Sequence, residues 1–380
     1  MLLDRRHLLQ AALAAAIAAP LRAQNYAAAK PADFPPVDAR SVWLVGDDAS
    51  RSPSDTVAQL ATLAGRPGKI RDSYLAGGAT EDLEQAFAAL LGKEACAFLQ
   101  TGTLANNVAL RVLCGEHPHA FCQADSHLYR DESDTAQRLS GINLVPLASG
   151  HAAPTIAELT AAFDAAEKGP YPLKVGAISL ESPVRRLDGQ MIAPADLAAI
   201  AALAKAHNTR LHLDGARLLL APPSIDVKAY AAPFDTVYVS LYKYLGAPFG
   251  AVLAGTAADI ARAHEWRHLY GGLIYQGWAP ALLALESLKT FPATIARAHA
   301  QADEVMTAIE REKLAKRRAS RAPSNIHFLE MPEARAAAAF ERGRVAGIRL
   351  GRWKEGAIPL YANATILRRE TAEYVALFRA

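Results

Sequence analysis

Apolar and polar positions divide most of the chain into short apolar runs that alternate with longer amphipathic stretches. After Thr80 the apolar residues Leu83, Ala86, Phe87, Leu90 and Leu91 fall on one helical stripe, with Thr80 read as the N-cap and Gly92 as the stop. The run ACAFL (residues 95–99) follows, then the turn QTGT, then a helical stretch from about Leu104 to Leu113. This order of strand, glycine turn and helix recurs. GAISL (176–180), RLHLD (210–214), TVYVS (236–240) and GAVLAG (250–255) read as strands, and PADLAAIAALAKAH (194–207) as a helix with proline in its first turn. Short apolar runs between helices predict an α/β domain with a mostly parallel sheet.

The texture changes near Phe291. A charged helical stretch over roughly 292–317 precedes three strand-like runs, SNIHFLE, GIRLG and AIPLYA. These predict a smaller α+β domain over 291–380, with residues 24–290 forming the larger domain. The segment from Gln24 to about Asp48 is rich in Pro and Ala and lacks periodicity, so it is expected to wrap over another element or a partner subunit as an arm. Residues 1–23 carry Arg5 and Arg6 ahead of a short alanine-rich apolar run. That pattern reads as a twin-arginine export signal, too short for a stable membrane anchor. It predicts a periplasmic or secreted protein handed to the twin-arginine export machinery as a folded cargo.

Charge adds little to this picture. The 41 Lys and Arg against 38 Asp and Glu give a formal net charge of +3, and removing the signal takes away Arg5, Arg6 and Arg22 but only Asp4. No basic block suggests a nucleic-acid surface. Hydrophobic residues make up 51% of the chain, enough for a large core. Cys96, Cys114 and Cys122 are an odd, sparse set and read as small core residues rather than a disulfide framework.

Four stretches carry candidate chemistry. In HLDGARLLL, Asp214 ends an apolar strand, where open α/β sheets bind ligands. A dry carboxylate there needs a cation, and an ion pair to Arg217 is the plain structural reading. In DTVYVSLYKYLGAPFG, Lys243 follows a strand and precedes a glycine turn. Alone it reads as a solvated lysine. A lysine in a buried crevice can form an imine, and one paired with an aspartate is the couple that pyridoxal phosphate requires. In LQTGTLANN, the turn at Gly102 and Thr103 opens a helix whose N–H groups suit a phosphate, although most such turns only cap helices. In CQADSHLYRDES, His127 lies near a strand end, where a lone histidine is more often structural. HEWRH (264–268) matches a zinc pattern, but it lacks a third ligand at a recognisable spacing and reads as a polar, exposed helix end. No metal is expected.

The motifs LGKEACAFLQTGTLAN, DSHLY, HLDGAR and SLYKYLGAPFGAVLAG stand in the order found in the threonine aldolase and aromatic amino acid β-eliminating lyase family, which the chain resembles from VGDDAS at 45–50 onward. LESPVRR and DTVYVSLYKY look like one particular branch of that group. The resemblance implies the fold-type-I arrangement of pyridoxal phosphate enzymes: a large α/β domain with a mixed, mostly parallel sheet, plus a small C-terminal domain. It implies that Lys243 holds pyridoxal phosphate covalently, Asp214 pairs with the ring nitrogen and His127 stacks on the ring. Gly102 and Thr103 would hold the phosphate. Arg217 would grip a substrate carboxylate, and Tyr74, in DSYLAGG, would reach the active site. A homodimer or homotetramer is implied, with sites at subunit interfaces.

Three departures fall on the substrate side. Where the family's main branch reads ENTH this chain reads ESPV, which puts Val184 in place of a proposed base. AIPLYA puts Pro359 near an expected arginine, and GGLIYQ puts Tyr275 at another. The expected reaction is cleavage of a β-hydroxy-α-amino acid to glycine and an aldehyde. β-Elimination or transamination on another amino acid is the alternative on the same cofactor. An exported, non-catalytic binding protein of the same fold is the reading from a different class.

Overall fold

A computed structural model describes residues 38–48, 51–320 and 322–379. The expected export signal and most of the arm lie outside these residues. In chain order the strands are β1 (Val42–Trp43), β2 (Ala95–Leu99), β3 (His119–Gln123), β4 (Asn143–Leu147), β5 (Ala177–Glu181) and β6 (Arg210–Asp214), then β7 (Thr236–Ser240), β8 (Ala251–Gly255), β9 (Lys316–Arg317), β10 (Ile326–Glu330), β11 (Ile348–Arg349) and β12 (Ala357–Tyr361).

A seven-stranded sheet runs in the order β2-β8-β7-β6-β5-β3-β4. From β4 to β7 every pairing is parallel, and β8 is antiparallel to both of its neighbours, β7 and β2. The α/β class predicted from the pattern is the one observed. β5, β7 and β8 are buried at every position. A central strand covered on both faces must be a continuous apolar run, and this is why these segments stand out in the sequence. The outer strand β2 is covered at its edge by side chains. The Phe98 N–H donates to Glu84 at 2.7 Å, and Arg267 donates to the Phe98 carbonyl at 2.7 Å. Cys96, Cys114 and Cys122 are free and buried.

Two element boundaries differ from the pattern. The helix after the DSYLAGG loop runs Gly78–Leu91, so Thr80 lies inside it and does not cap it. The chain turns at Gly77 and Gly78, both at positive φ, and a Cβ on Gly78 would collide with the Ile70 carbonyl. That close approach fixes the start of the helix and overrides the capping preference of Thr80. The long charged helix spans Phe291–Arg311 and stops well before 317, since Lys313 turns at positive φ and β9 begins at Lys316.

The C-terminal part builds a second, smaller sheet in the order β12-β10-β9, with every pairing antiparallel. The segment 38–48 lies on this part of the molecule rather than on the large sheet. β1 pairs in parallel with β11, and Leu44 donates to the Arg349 carbonyl at 2.9 Å and accepts from Tyr361 N–H at 3.2 Å. Asn363 Nδ2 donates to the carbonyls of Trp43 at 2.7 Å and Gly46 at 3.2 Å. These bonds carry Asp47 to the cleft between the two sheets. Among the described residues, no helix is long and apolar enough to cross a membrane.

Candidate active site

The register of the sheet brings together residues that lie far apart in the chain. Glu181 at the end of β5 stands opposite Asp214 at the end of β6, and Asp214 stands opposite Tyr238 of β7. The carboxyl ends of adjacent parallel strands therefore form a shelf, the usual place for a ligand in an open α/β sheet. Lys243 lies just beyond β7 in the turn that leads back into β8. Its burial, reinforced by the nearby Arg217 charge, pulls the ammonium pKa down to about 8, and Asp214, Asp47 and Glu181 oppose that fall. Its Nζ lies 5.7 Å from the centre of the Tyr242 ring.

Asp214 is buried and oriented by two donors. Asn106 Nδ2 donates to one oxygen at 2.9 Å, and the Ala216 N–H donates to the other at 3.1 Å. Asn106 is held in turn by His212 Nε2 at 3.0 Å, and His212 Nδ1 meets Thr236 Oγ1 at 2.9 Å. Burial holds the His212 pKa down to about 4, so the ring is neutral at pH 7. A second branch runs from Asn106 to Glu132 at 2.9 Å, and from Glu132 to His127 Nδ1 at 3.1 Å. The Glu132 hydrogen bond raises the His127 pKa. Glu181 accepts the backbone N–H of His127 at 2.6 Å and that of Arg185 at 2.9 Å. Burial, with Asp214 beside it, pushes the Glu181 pKa up to about 7.

The helix Gly102–Cys114 points its N-terminus at the same shelf. The Thr101 hydroxyl caps it by accepting from Leu104 N–H at 3.1 Å. A Cβ on Gly102 would collide with the Tyr238 hydroxyl, so the helix can approach β7 this closely only with glycine there. Ser240, at the end of the same strand, is buried, and its hydroxyl lies among the Tyr238 and Tyr242 side chains. The N-terminus of a helix brought this close to the strand ends presents backbone N–H groups that suit an anionic acceptor.

Arg217 lies in the cleft with its Nε donating to Asp47 Oδ1 at 2.7 Å. Both side chains are largely buried, 16% and 15% exposed. Val184 is fully buried and has only its backbone for polar contact: its N–H donates to the Gln190 carbonyl at 2.9 Å, and its carbonyl accepts from Leu187 and Gly189. Tyr74 does not join the site within this chain. It is 58% exposed at positive φ, its N–H donates to the Tyr275 carbonyl at 2.7 Å, and its ring lies edge-on to Tyr275 at 5.3 Å. No hydrogen bond or ring contact joins it to Lys243, Asp214, His127 or Arg217 among the described residues. The expectation that it reaches the active site finds no contact in one chain, because its loop is pinned to the Tyr275 loop. The HEWRH segment ends the helix Ala257–Leu269, as expected, but only part of it is exposed: Glu265 and His268 face solvent. Arg267 is buried against β2, and burial lowers the His264 pKa to about 4. No metal-holding group of three acidic, His or Cys residues forms among the described residues.

Sequence reasoning missed Asp47, Asn106, Glu132, Glu181, His212 and Ser240. Some of these left signals. Asn106 and Asn107 are polar positions in the buried middle of a mostly apolar helix, and Glu181 ends an apolar strand as Asp214 does.

These residues fit pyridoxal phosphate. Lys243 supplies an amine near neutrality, Asp214 an oriented buried carboxylate, His127 a ring at the shelf, and Gly102, Thr103 and Ser240 a receptacle for the phosphate. The fold and this donor set define the class of fold-type-I pyridoxal phosphate enzymes. Within that class the chain belongs to the β-eliminating lyase family, whose model matches residues 68–334. It is 31% identical over 230 residues to the "probable low-specificity L-threonine aldolase" of Schizosaccharomyces pombe, a match spanning 60% of each chain. It is 28% identical over 347 residues to the low specificity L-threonine aldolase of Escherichia coli, covering 86% of this chain and 97% of that one. A solved structure from Exiguobacterium sp. 255-15 superposes with a TM-score of 0.75 at 24% identity, over 91% of this chain and 97% of that one. At that identity the likeness speaks for the fold alone.

Proposed function

We propose that this chain is a pyridoxal phosphate-dependent lyase of the threonine aldolase type, cleaving a β-hydroxy-α-amino acid to glycine and an aldehyde. The observation that carries this reading is the convergence of Lys243, Asp214 and His127 on one shelf beside the open helix N-terminus at Gly102. The curated relatives named as L-threonine aldolases support the choice of reaction.

Pyridoxal phosphate, when bound, supplies an electron sink for the carbon that loses its bond. Lys243 would hold the group, its amine being available near pH 8 rather than above 10. Asp214 would keep the ring nitrogen protonated, and the chain from Asn106 through His212 to Thr236 fixes its orientation. Gly102, Thr103 and Ser240 would take the phosphate. Glu132 holds His127 through Nδ1, which leaves Nε2 as the atom that would accept the β-hydroxyl proton, unless a bound water takes it. As that proton leaves, the Cα–Cβ bond breaks, the aldehyde departs, and Cα then takes up a proton to give glycine. Val184 offers no side-chain atom for this step.

The test is a product assay of the purified protein with β-hydroxy-α-amino acids. Equal amounts of glycine and aldehyde are expected. Keto acid with ammonia, or a new amino acid, would replace this reading with β-elimination or transamination, which the apolar Val184 keeps in view.

The proposal extends to assembly and address. Tyr74, Tyr242, Phe249 and Tyr275 are exposed rings, and their exposure supports a homodimer or homotetramer that covers them. Sedimentation equilibrium should give a multiple of the chain mass. The Arg5-Arg6 pair supports export of the folded protein by the twin-arginine machinery to the periplasm or beyond. Replacing both with Lys should trap the protein in the cytoplasm, and unchanged export would remove that reading.

A further inference from the structure

Resting on the reading above, we propose that Tyr361 is a substrate-binding residue whose hydroxyl donates to the substrate α-carboxylate beside Arg217.

Tyr361 ends β12, where side chains alternate between two faces. Ile358 and Leu360 point into the core, each 2% exposed. Pro359 and Tyr361 share the other face and are half-buried. Pro359 stands near the place of an arginine that the resemblance expects. Its ring packs on Gly351, where an added Cβ would collide with it, and it carries no donor. Tyr361 lies two residues further on. Its N–H donates to the Leu44 carbonyl at 3.2 Å, and Asn363 Nδ2 donates to the Gly46 carbonyl at 3.2 Å. The end of β12 thus holds the segment that brings Asp47 to Arg217 at 2.7 Å. The charges of Asp47, Arg217, Asp188 and Arg185 all act on the Tyr361 phenol, which sets it in the cleft between the two sheets.

A carboxylate brings two oxygens that need donors. Asp47 takes only the Nε of Arg217, and the two Nη groups have no partner among the described residues. These suit a substrate carboxylate. The other charged groups around Tyr361 add little to them. Asp47 and Asp188 are themselves acids, and Arg185 is paired with Asp131 at 2.8 Å. The Arg217 charge also acts on Tyr242 and Tyr244, but these phenols are engaged elsewhere. Tyr242 bonds to Ser240, and Tyr244 is 3% exposed and stacked on Phe291 at 5.2 Å. The Tyr361 hydroxyl makes no hydrogen bond among the described residues. Burial, with Asp47 beside it, pushes its pKa up, so it keeps the proton that it would donate. A neutral donor beside a partly engaged arginine serves a carboxylate without burying another charge.

The test compares glycine, which carries the carboxylate, with glycinamide, which has the same amine and no charge at that end. Binding to the cofactor-loaded protein is followed by titration calorimetry in wild type and in Tyr361→Phe, which keeps the ring and removes the hydroxyl. The variant should weaken glycine relative to glycinamide by about tenfold, the size of one hydrogen bond to a charged group. With a β-hydroxy-α-amino acid, KM should rise while kcat changes little, because the contact is made before and during the reaction alike. A relative loss below about threefold overturns the proposal, whether glycine binding is unmoved or both ligands weaken together, as they would around a merely structural phenol. Glycine has no β-substituent, so a hydroxyl serving that end of the substrate would leave its binding unmoved and be exposed by the same result. Retained glycinamide binding shows that the variant is folded and loaded. A wild-type protein with no visible cofactor absorbance would instead remove the proposed function itself.

Discussion

Lys243, Asp214 and Glu181 stand at or just past the carboxyl ends of strands in the parallel part of the large sheet, with His127 fixed to Glu181 and Glu132 beside them. The rest of the cleft adds to such strand-end turns a segment from elsewhere in the chain. Arg217 comes from the turn after β6, Val184 from the turn after β5, and Asp47 from a segment laid across the C-terminal strands. A shelf of strand ends cannot shift without disturbing buried register, so its residues keep the arrangement that a cofactor demands. Turns and added segments can exchange an arginine or a histidine for a proline, a valine or a tyrosine and leave the sheet intact. On the proposed function, the shelf as the first wall would set the chemistry and the rest of the cleft as the second would set substrate choice.

The largest effect that would break this contrast is on the cofactor wall. Lys243→Ala should abolish visible cofactor absorbance and turnover while the melting temperature of the cofactor-free protein barely moves. Surviving absorbance would place the covalent attachment elsewhere.

Asn106→Ala should follow. It strips partners from Asp214, Glu132 and His212 together, all buried. A loss of about 3 kcal/mol in urea unfolding is expected, with weakened cofactor retention. A loss below about 1 kcal/mol would mean that the network is not the frame of the shelf.

The two walls meet in the pH dependence of cofactor uptake. The neutral Lys243 amine is the reactive form, so the uptake rate of the cofactor-free protein should rise with pH, with its midpoint near 8. Asp47 favours the ammonium, so Asp47→Asn should move that midpoint down. Arg217 opposes the ammonium, so Arg217→Gln should move it up. Shifts of the same sign in both variants would contradict the placement of this pair beside Lys243.

The smallest effect belongs to Val184→Ala. Trimming a fully buried side chain should cost about 1–2 kcal/mol of stability and leave kcat unchanged, since no atom of this side chain takes part. A large drop in kcat would give the Val184 position a part in the chemistry after all.

The same contrast explains what could be read from the chain. β5, β6, β7 and β8 are apolar runs because both faces are covered, and Lys243 and Asp214 are legible because they interrupt that pattern at strand ends. Gly102 is legible as the opening of a helix. Asp47 is not, because its segment has no period of its own and its place is decided by pairing with β11 and Asn363, far along the chain. Thr80 misleads for a similar reason. The contact between Gly78 and the Ile70 carbonyl, which no local propensity encodes, starts the helix earlier. Glu132 and Glu181 are hidden because an acid in a turn or at a strand end reads as solvated until the register shows it buried.

The central claim is that Lys243 holds the cofactor. It is tested most directly by reducing the purified, cofactor-loaded protein with borohydride and mapping the pyridoxyl-modified peptide by mass spectrometry. The account predicts a single modified lysine, Lys243, within SLYKYLGAPFG. A modification at another lysine, or none on a protein that binds the cofactor, would contradict it.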